Sequence, residues 1–526
     1  MSRTKKALHG TLASFVQYAL QVLLQFLLAP MVLQHAGQNA WGAYAVIIQA
    51  ITYLGFLDLG FNMALDRYLA NASGLDDHHK RFNLLLTTGR SFLLGTNLIW
   101  AFCATLLALN IGRLLSLHPE VGADAVVMTD AEIGVFMLAL WAAVRTPIVL
   151  AGATLIALQE LAAYNIICTV ANFIRLGGAL LLVSEGYGLV GLMGGHLSAE
   201  VFEKLVCYAY LRRKHPEVRP WWGIPDRAVF MEMLKFGSHA MVINVGMRLM
   251  FYSDNLVVGV VISAAAASIY YSTLMPAQQA WSTLCRMISN SLPAVNELYG
   301  RSAFAQLRTV FLKIHRYNLL LAIPLAAGIE LLNHDVLRIW LKDHAEQQYG
   351  GELMTLSLAV IAVMITAGSV NFIFVMATGR IRQISYLYLL VGGIKLVLSI
   401  VVAKWLGLRG LFGLGGLGAV TAMTALATAV TFINMQIQAQ RELGLTWGEF
   451  LRESVWPAMG RTIVGLPVLW FLVYRWPPTT LFELAWTIAS YAAIQGGISF
   501  WALEAQDRQL IIQQAGQVLH WPRKAA

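Results

Sequence analysis

The stretch Ala7–Leu57, ALHGTLASFVQYALQVLLQFLLAPMVLQHAGQNAWGAYAVIIQAITYLGFL, carries no formal charge between Lys6 and Asp58. Its 51 residues would run about 77 Å as one helix, against a hydrocarbon core of about 30 Å. Such a segment must cross a membrane, turn and cross back, and the polar patch Gln34-His35-Ala36-Gly37-Gln38-Asn39 marks the turn. The rest of the chain continues the pattern. Of its 526 residues 58% are apolar and 12% charged, where an ordinary globular protein has about 25% charged. So few charges do not cover a soluble surface. A soluble enzyme, a secreted domain and a disordered scaffold are excluded, and the composition predicts an all-α polytopic membrane protein.

Apolar windows predict about fourteen spans. They lie near 11–33, 41–65, 90–112, 132–157, 162–183, 188–210, 236–260, 266–291, 314–333, 353–378, 384–405, 410–436, 457–475 and 482–503. The uncharged runs Ser91–Gly112, Leu353–Gly379 and Gly410–Gln440 are the clearest, while Pro457, Pro467 and Trp476-Pro477-Pro478 shorten the last two. The basic start resembles a signal-peptide opening, but the apolar run after it is too long and lacks a small-x-small cleavage site, so an uncleaved first span is expected. Cytoplasmic flanks retain Lys and Arg. With the N-terminus inside, 26 basic residues fall on cytoplasmic segments and six on outer ones. Both termini are therefore expected in the cytoplasm. The excess of positive charge is a topology signal, and no nucleic-acid partner is implied. Cys103, Cys168, Cys207 and Cys285 lie in apolar segments without metal or disulfide spacing and read as small hydrophobes. No metal and no cofactor is expected.

An internal repeat organises the spans. Gly188-Leu189-Val190-Gly191-Leu192 matches Gly410-Leu411-Phe412-Gly413-Leu414, Arg175 matches Lys395, and Tyr44 matches Tyr271, at offsets of 222, 220 and 227 residues. These offsets predict two six-helix bundles, residues 1–215 and 216–445, with two additional helices and an amphipathic tail in 446–526. Six spans per half put both halves in the same orientation, a parallel repeat about an axis along the membrane normal. Trp221-Trp222 read as interfacial anchors, and the apolar face of 504–520 predicts a helix lying on the inner surface.

Five cations fall inside spans: Arg145, Arg175, Arg248, Arg286 and Lys395. Each would cost about 2.5–3.5 kcal/mol at the bilayer centre, on the order of 15 kcal/mol together, so they are expected to face an internal hydrated space. The acids within spans are fewer: Asp58, Glu200 and Asp254. A surplus of positive charge suits an anion, and arginine suits a phosphate. The alternative is that each cation pairs with an acid or a backbone carbonyl for assembly alone. His196 and Glu200 share a helical face, which fits either a proton relay or a packing pair. With Asp58 and Asp254 they are the candidates for ion coupling.

The stretch Leu33–Ala70 resembles the opening of the Wzx-like polysaccharide exporters. It carries Trp41-Gly42-Ala43-Tyr44, Tyr53-Leu54, Leu57-Asp58-Leu59-Gly60-Phe61, Ala64 and Arg67. Asp254–Gly259 through Ile269-Tyr270-Tyr271 resembles the second-half counterpart, and Ala157-Leu158-Gln159 the end of the fourth helix. That family is a branch of the MOP superfamily, which also holds the MATE drug exporters and lipid II flippases. The resemblance spans most of residues 10–440, in topology and scattered residues rather than a catalytic signature. It implies transport of an undecaprenyl-diphosphate-linked oligosaccharide from inner to outer leaflet of a bacterial inner membrane, through a cationic cavity. Implied partners are the lipid-linked oligosaccharide, membrane lipids, a coupling H+ or Na+, and polysaccharide polymerase machinery. Two alternatives compete: an ion-coupled MATE-like exporter of small molecules, and an integral-membrane glycosyltransferase or polymerase. Excess positive charge disfavours the first for organic cations. The short outer loops, with no carboxylate in the first, disfavour the second, so the chain is read as a transporter rather than an enzyme.

Reporter fusions test the topology: those after residue 215 and at the C-terminus should read cytoplasmic, and those within 116–128 or 340–350 external.

Overall fold

Hydrocarbon offers the backbone no hydrogen-bond partners, so a lipid-exposed chain must satisfy its amides internally, as helices do. The computed structural model obeys this throughout. It describes residues 20, 26–58, 61–72, 78–115, 122–218, 225–378, 381–406, 415–502 and 508–509, and among them there is no strand. Eight of the described helices are long and apolar enough to cross a membrane. Most of the first expected span, the Gly410–Leu414 repeat motif, Trp221-Trp222 and nearly all of 504–520 lie outside the described residues, as does the Asp58 side chain.

After an apolar helix at Phe26–His35, the helices follow in order. They are α1 (Gly37–Leu54), α2 (Phe61–Ala72), α3 (His78–Leu114), α4 (Gly122–Val144), α5 (Ala151–Ala157), α6 (Leu161–Ser184), α7 (Gly188–Lys214), α8 (Arg227–Phe251) and α9 (Asp254–Val261). Then come α10 (Ala264–Ser289), α11 (Leu292–Gly300), α12 (Phe304–Leu341), α13 (Glu352–Ala377), α14 (Ile381–Leu406), α15 (Gly416–Leu443), α16 (Trp447–Phe450), α17 (Trp456–Arg475) and α18 (Leu481–Ala502). Contacts group them into two compact units, Met1–Ser272 with Arg382–Val420, and Thr273–Ile381 with Thr421–Ala526.

Several expected spans are broken. The span near 41–65 stops at Leu54, makes a 3-10 turn over Gly55–Asp58 and resumes as α2. The span near 132–157 starts earlier, at Gly122, and is interrupted at Arg145–Leu150, where Pro147 has no amide to continue the ladder. The span near 236–260 divides at Tyr252-Ser253 into α8 and α9. Conversely, α12 runs 38 residues, about 57 Å, and overshoots any hydrocarbon core.

In the first unit the start of α1 packs against the start of α10. A Cβ on Gly42 would lie 1.7 Å from the Ala264 carbonyl oxygen, so only glycine permits this approach. Gln38 Nε2 donates to the Ala265 carbonyl at 3.4 Å, and these residues are 227 apart. That is the offset relating Tyr44 to Tyr271, so the equivalent turns of the two repeats meet face to face. Trp41 fills the contact: its ring centroid lies 5.6 Å from Tyr44 and 5.2 Å from Tyr271, and Nε1 donates to Ser272 Oγ at 3.1 Å.

In the second unit Phe311 anchors the interior, 4.9 Å from Phe374 and 4.5 Å from His315. His315, fully buried, pairs through Nε2 with Asn371 Oδ1 at 2.8 Å. The two last helices pack on α12. Ser454 Oγ, in the π-turn Leu451–Val455 that precedes α17, donates to the Leu312 carbonyl at 2.9 Å. Arg338 Nη2 donates to the Pro478 carbonyl at 2.8 Å. Ser499 Oγ reaches the Leu320 carbonyl at 3.5 Å, four residues before Pro324.

Gly42→Val should overpack the α1–α10 contact and destabilise the protein by about 1–3 kcal/mol. Gly95→Ala, where nothing lies within 4 Å of the new Cβ, should leave stability unchanged or raise it by up to about 1 kcal/mol. Thermal unfolding of both variants in detergent checks the contrast.

Candidate functional site

Four of the five cations expected inside spans, Arg145, Arg175, Arg248 and Lys395, lie in the first unit with Glu200 and Asp254, and α7 organises the first group. Glu200 takes the Arg145 guanidinium in an ion pair. Arg145 sits where α4 ends, so the break at Pro147 leaves it at the mouth of the turn. Its Nη2 reaches Asn97 Oδ1 on α3 at 3.4 Å, and Asn97 Nδ2 donates to Thr146 Oγ1 at 3.1 Å. The guanidinium also lies 5.7 Å from the centre of the Trp100 ring, a cation–π arrangement.

One turn earlier on α7 is His196. Its Nδ1 is buried with no hydrogen-bond partner among the described residues, and Glu200, ion-paired with Arg145, lies within electrostatic reach of the ring. Arg175, on α6, lies within electrostatic reach of His196, Tyr44 and Tyr271. No carboxylate among the described residues forms an ion pair with it. The two tyrosines and Arg175 thus share one neighbourhood.

The second group is built at the α8–α9 break. Asp254 opens α9, where a helix N-terminus favours a carboxylate. Lys395, 2% exposed, forms an ion pair with it and donates to Ser253 Oγ at 2.8 Å. The Tyr270 hydroxyl donates to the other carboxylate oxygen at 2.9 Å. Glycines set the reach: a Cβ on Gly392 would lie 2.7 Å from the Gly246 carbonyl oxygen, so α14 presses against α8 one turn before Lys395.

Arg248 uses another break. It donates through Nη1 to the Thr52 carbonyl at the end of α1, and its own carbonyl accepts from the Tyr53 hydroxyl at 3.0 Å. A guanidinium on the last carbonyls of a helix meets the negative end of its dipole. Arg286 belongs to the second unit, where its side chain is exposed. Asp58 closes the 3-10 turn. All four cysteines are free thiols.

Two of the five cations are therefore neutralised by carboxylates, one is held by a carbonyl, Arg286 lies in the second unit, and Arg175 has neither kind of partner among the described residues. Asn97, Trp100, Thr146, Ser253 and Tyr270 are part of these networks and are not singled out by sequence. Asn97, a polar amide in the uncharged run Ser91–Gly112, is the signal that was available.

A family model described as "Polysaccharide biosynthesis protein" matches residues 7–298. The chain belongs to this family. No curated protein sequence matches it. Among solved structures it is similar to lipid II flippase MurJ in an inward closed conformation, with a TM-score of 0.65, 12% identity, and coverage of 95% of this chain and 99% of that one. It is also similar to an inward-facing multidrug resistance MATE transporter of the MOP superfamily, with a TM-score of 0.63, 14% identity, and coverage of 82% and 98%. A MOP superfamily transporter from Pyrococcus furiosus, described as having a binding pocket of reverse polarity, gives 0.54 at 15% identity, covering 84% and 97%. These likenesses show that the chain shares the polytopic helical fold of these proteins.

The Asp254–Lys395 pair provides a thermodynamic test. Asp254→Ala or Lys395→Ala alone leaves a buried charge and should cost about 3–5 kcal/mol, while Asp254→Leu with Lys395→Met should recover most of it. A double-mutant cycle by thermal unfolding in detergent reads the coupling.

Proposed function

We propose that the protein is a flippase that moves an undecaprenyl-diphosphate-linked oligosaccharide from the inner to the outer leaflet of a bacterial inner membrane, with both termini cytoplasmic. The observation that carries this reading is Arg175, a cation without a carboxylate partner among the described residues, set among His196, Tyr44 and Tyr271 within apolar helices. An arginine left unpaired in low dielectric attracts an anion strongly, and its planar fork matches a phosphate. Membership of a polysaccharide biosynthesis family supports a glycan as the cargo, and coverage of nearly the whole chain by a lipid II flippase fold supports a lipid carrier.

Arg145 and Lys395 act through their carboxylates. A diphosphate entering the polar strip formed by Arg145, Glu200, His196 and Arg175 on α4–α7 competes with Glu200 for Arg145, and the released Glu200 accepts a proton beside His196. Substrate movement is thereby tied to protonation, with H+ as the coupling ion and Asp254–Lys395 as a second pair able to open. An exporter of organic cations needs uncommitted carboxylates. Glu200 and Asp254 are both engaged by cations, which favours the anionic substrate. Delivery of the flipped lipid to polymerase machinery on the outer face completes the proposed pathway.

Proteoliposomes loaded with a fluorescent lipid-linked diphosphate oligosaccharide test the reading through quencher access to each leaflet. Arg175→Ala should slow translocation at least about tenfold, the effect of losing one charged hydrogen bond, and Arg175→Lys should retain part of the rate. Normal transport by Arg175→Ala would refute the assignment of this residue. Transport of an organic cation in place of the glycolipid would refute the substrate class.

A further inference from the structure

Separate from the polar strip, a cavity of about 270 Å³ opens in the first unit where α3, α5 and α7 meet. Its walls follow from local sequence. The break at Pro147 displaces the chain, and the small residues Ala151 and Thr154 on the short α5 leave space that a continuous span would fill. From α3, Leu86 and Arg90 enter on one face, a turn apart. From α7, Tyr208 and Arg212 do the same.

The charges in this cavity share one sign. Arg90 is only 8% exposed, and Arg212 is near enough for the two guanidinium groups to repel. Arg212 lies over the Tyr208 ring at 5.6 Å, which aims its fork. Among the described lining residues there is no carboxylate. The hydroxyl oxygen of Thr146, also in the wall, accepts from Asn97 at 3.1 Å. Two cations, the three hydroxyl-bearing side chains Thr146, Thr154 and Tyr208, and the apolar Leu150 and Leu211 form a site with a polar head and a greasy rim. The volume equals that of about nine water molecules, at about 30 Å³ each, enough for a phosphate and its near hydration.

We propose that Arg90, Arg212 and Tyr208 form a binding site for a net-anionic phosphate group. Two sources supply that chemistry, the headgroup of an anionic phospholipid and a free phosphate or pyrophosphate. An anion set between the two guanidinium groups takes charge-assisted hydrogen bonds from them, and their planar forks favour bidentate ones. The neighbouring sequence Arg212-Arg213-Lys214, at the end of α7, places the opening where a chain leaves the hydrocarbon. The site borders the polar strip only through Thr146 and does not depend on the transport reading.

The test uses the full chain purified in detergent and native mass spectrometry with short-chain phosphatidylglycerol, phosphatidylcholine of the same chain length, and sodium pyrophosphate. Arg212 and Arg213 are both exposed, so Arg212→Glu and Arg213→Glu change surface charge equally and endanger folding little, but only Arg212 lines the cavity. Wild type should retain phosphatidylglycerol over phosphatidylcholine. Arg212→Glu should lower that retention at least about tenfold, the worth of one charged hydrogen bond, and Arg213→Glu less than about twofold. Arg90→Lys, which keeps the charge without the fork, should bind at an intermediate level. Displacement of the lipid by pyrophosphate identifies a site open to free phosphate, and retention against pyrophosphate identifies the lipid headgroup as ligand. Both outcomes support the site. Equal losses in the two Glu variants, equal retention of phosphatidylcholine, or no retained phosphatidylglycerol and no bound pyrophosphate in wild type would overturn it.

Discussion

An ammonium group surrounded by hydrocarbon and helix backbone must find a counter-charge inside the protein, and Lys395 finds Asp254. Much of the first unit follows from that requirement. Asp254 opens a helix, so the span holding it must break just before it, at Tyr252-Ser253. Ser253 and Tyr270 complete the shell of both charges. The lysine must come close enough for direct contact, so α14 and α8 meet through Gly392 and Gly246. The helix break, the glycine contact and the hydroxyl shell are consequences of one desolvation problem.

The same logic explains the other interruptions. A helix that ends inside the apolar layer leaves carbonyls or amides without partners, and here the loose ends are met by the charges. Thr52, at the end of α1, receives Arg248. The Arg145–Leu150 turn holds the guanidinium that meets Glu200 and Asn97. Breaks and buried charges occur together because each supplies what the other lacks.

The fold class was legible in the sequence because hydropathy acts over twenty residues at a time, and no local accident erases a run such as Leu353–Gly379. The five cations were legible for the same reason, as conspicuous exceptions in an apolar background. Their partners were not. Lys395 meets Asp254 across 141 residues and Arg145 meets Glu200 across 55, distances at which neither helical period nor spacing carries information. The helix breaks were obscured because Tyr252-Ser253 and Gly55–Asp58 are short and nearly neutral, so a hydropathy window passes over them. The meeting of α1 with α10 was foreshadowed by the Tyr44–Tyr271 offset, which identifies equivalent positions but not their contact.

Pro324 in α12 gives the last helices a reason to stay. A proline supplies no amide, so the carbonyl four residues before it, Leu320, loses its usual donor, and Ser499 of α18 reaches that oxygen. Tyr491 approaches the carbonyl of Pro324 itself at 3.5 Å. The last pair of helices thus works as a patch on a defect in α12. A lineage that shed α18 would expose a bare carbonyl to lipid unless position 324 changed with it, and one that replaced Pro324 first would loosen the tie that keeps α18 in place. The proline and the appended helices are for this reason expected to be gained and lost together.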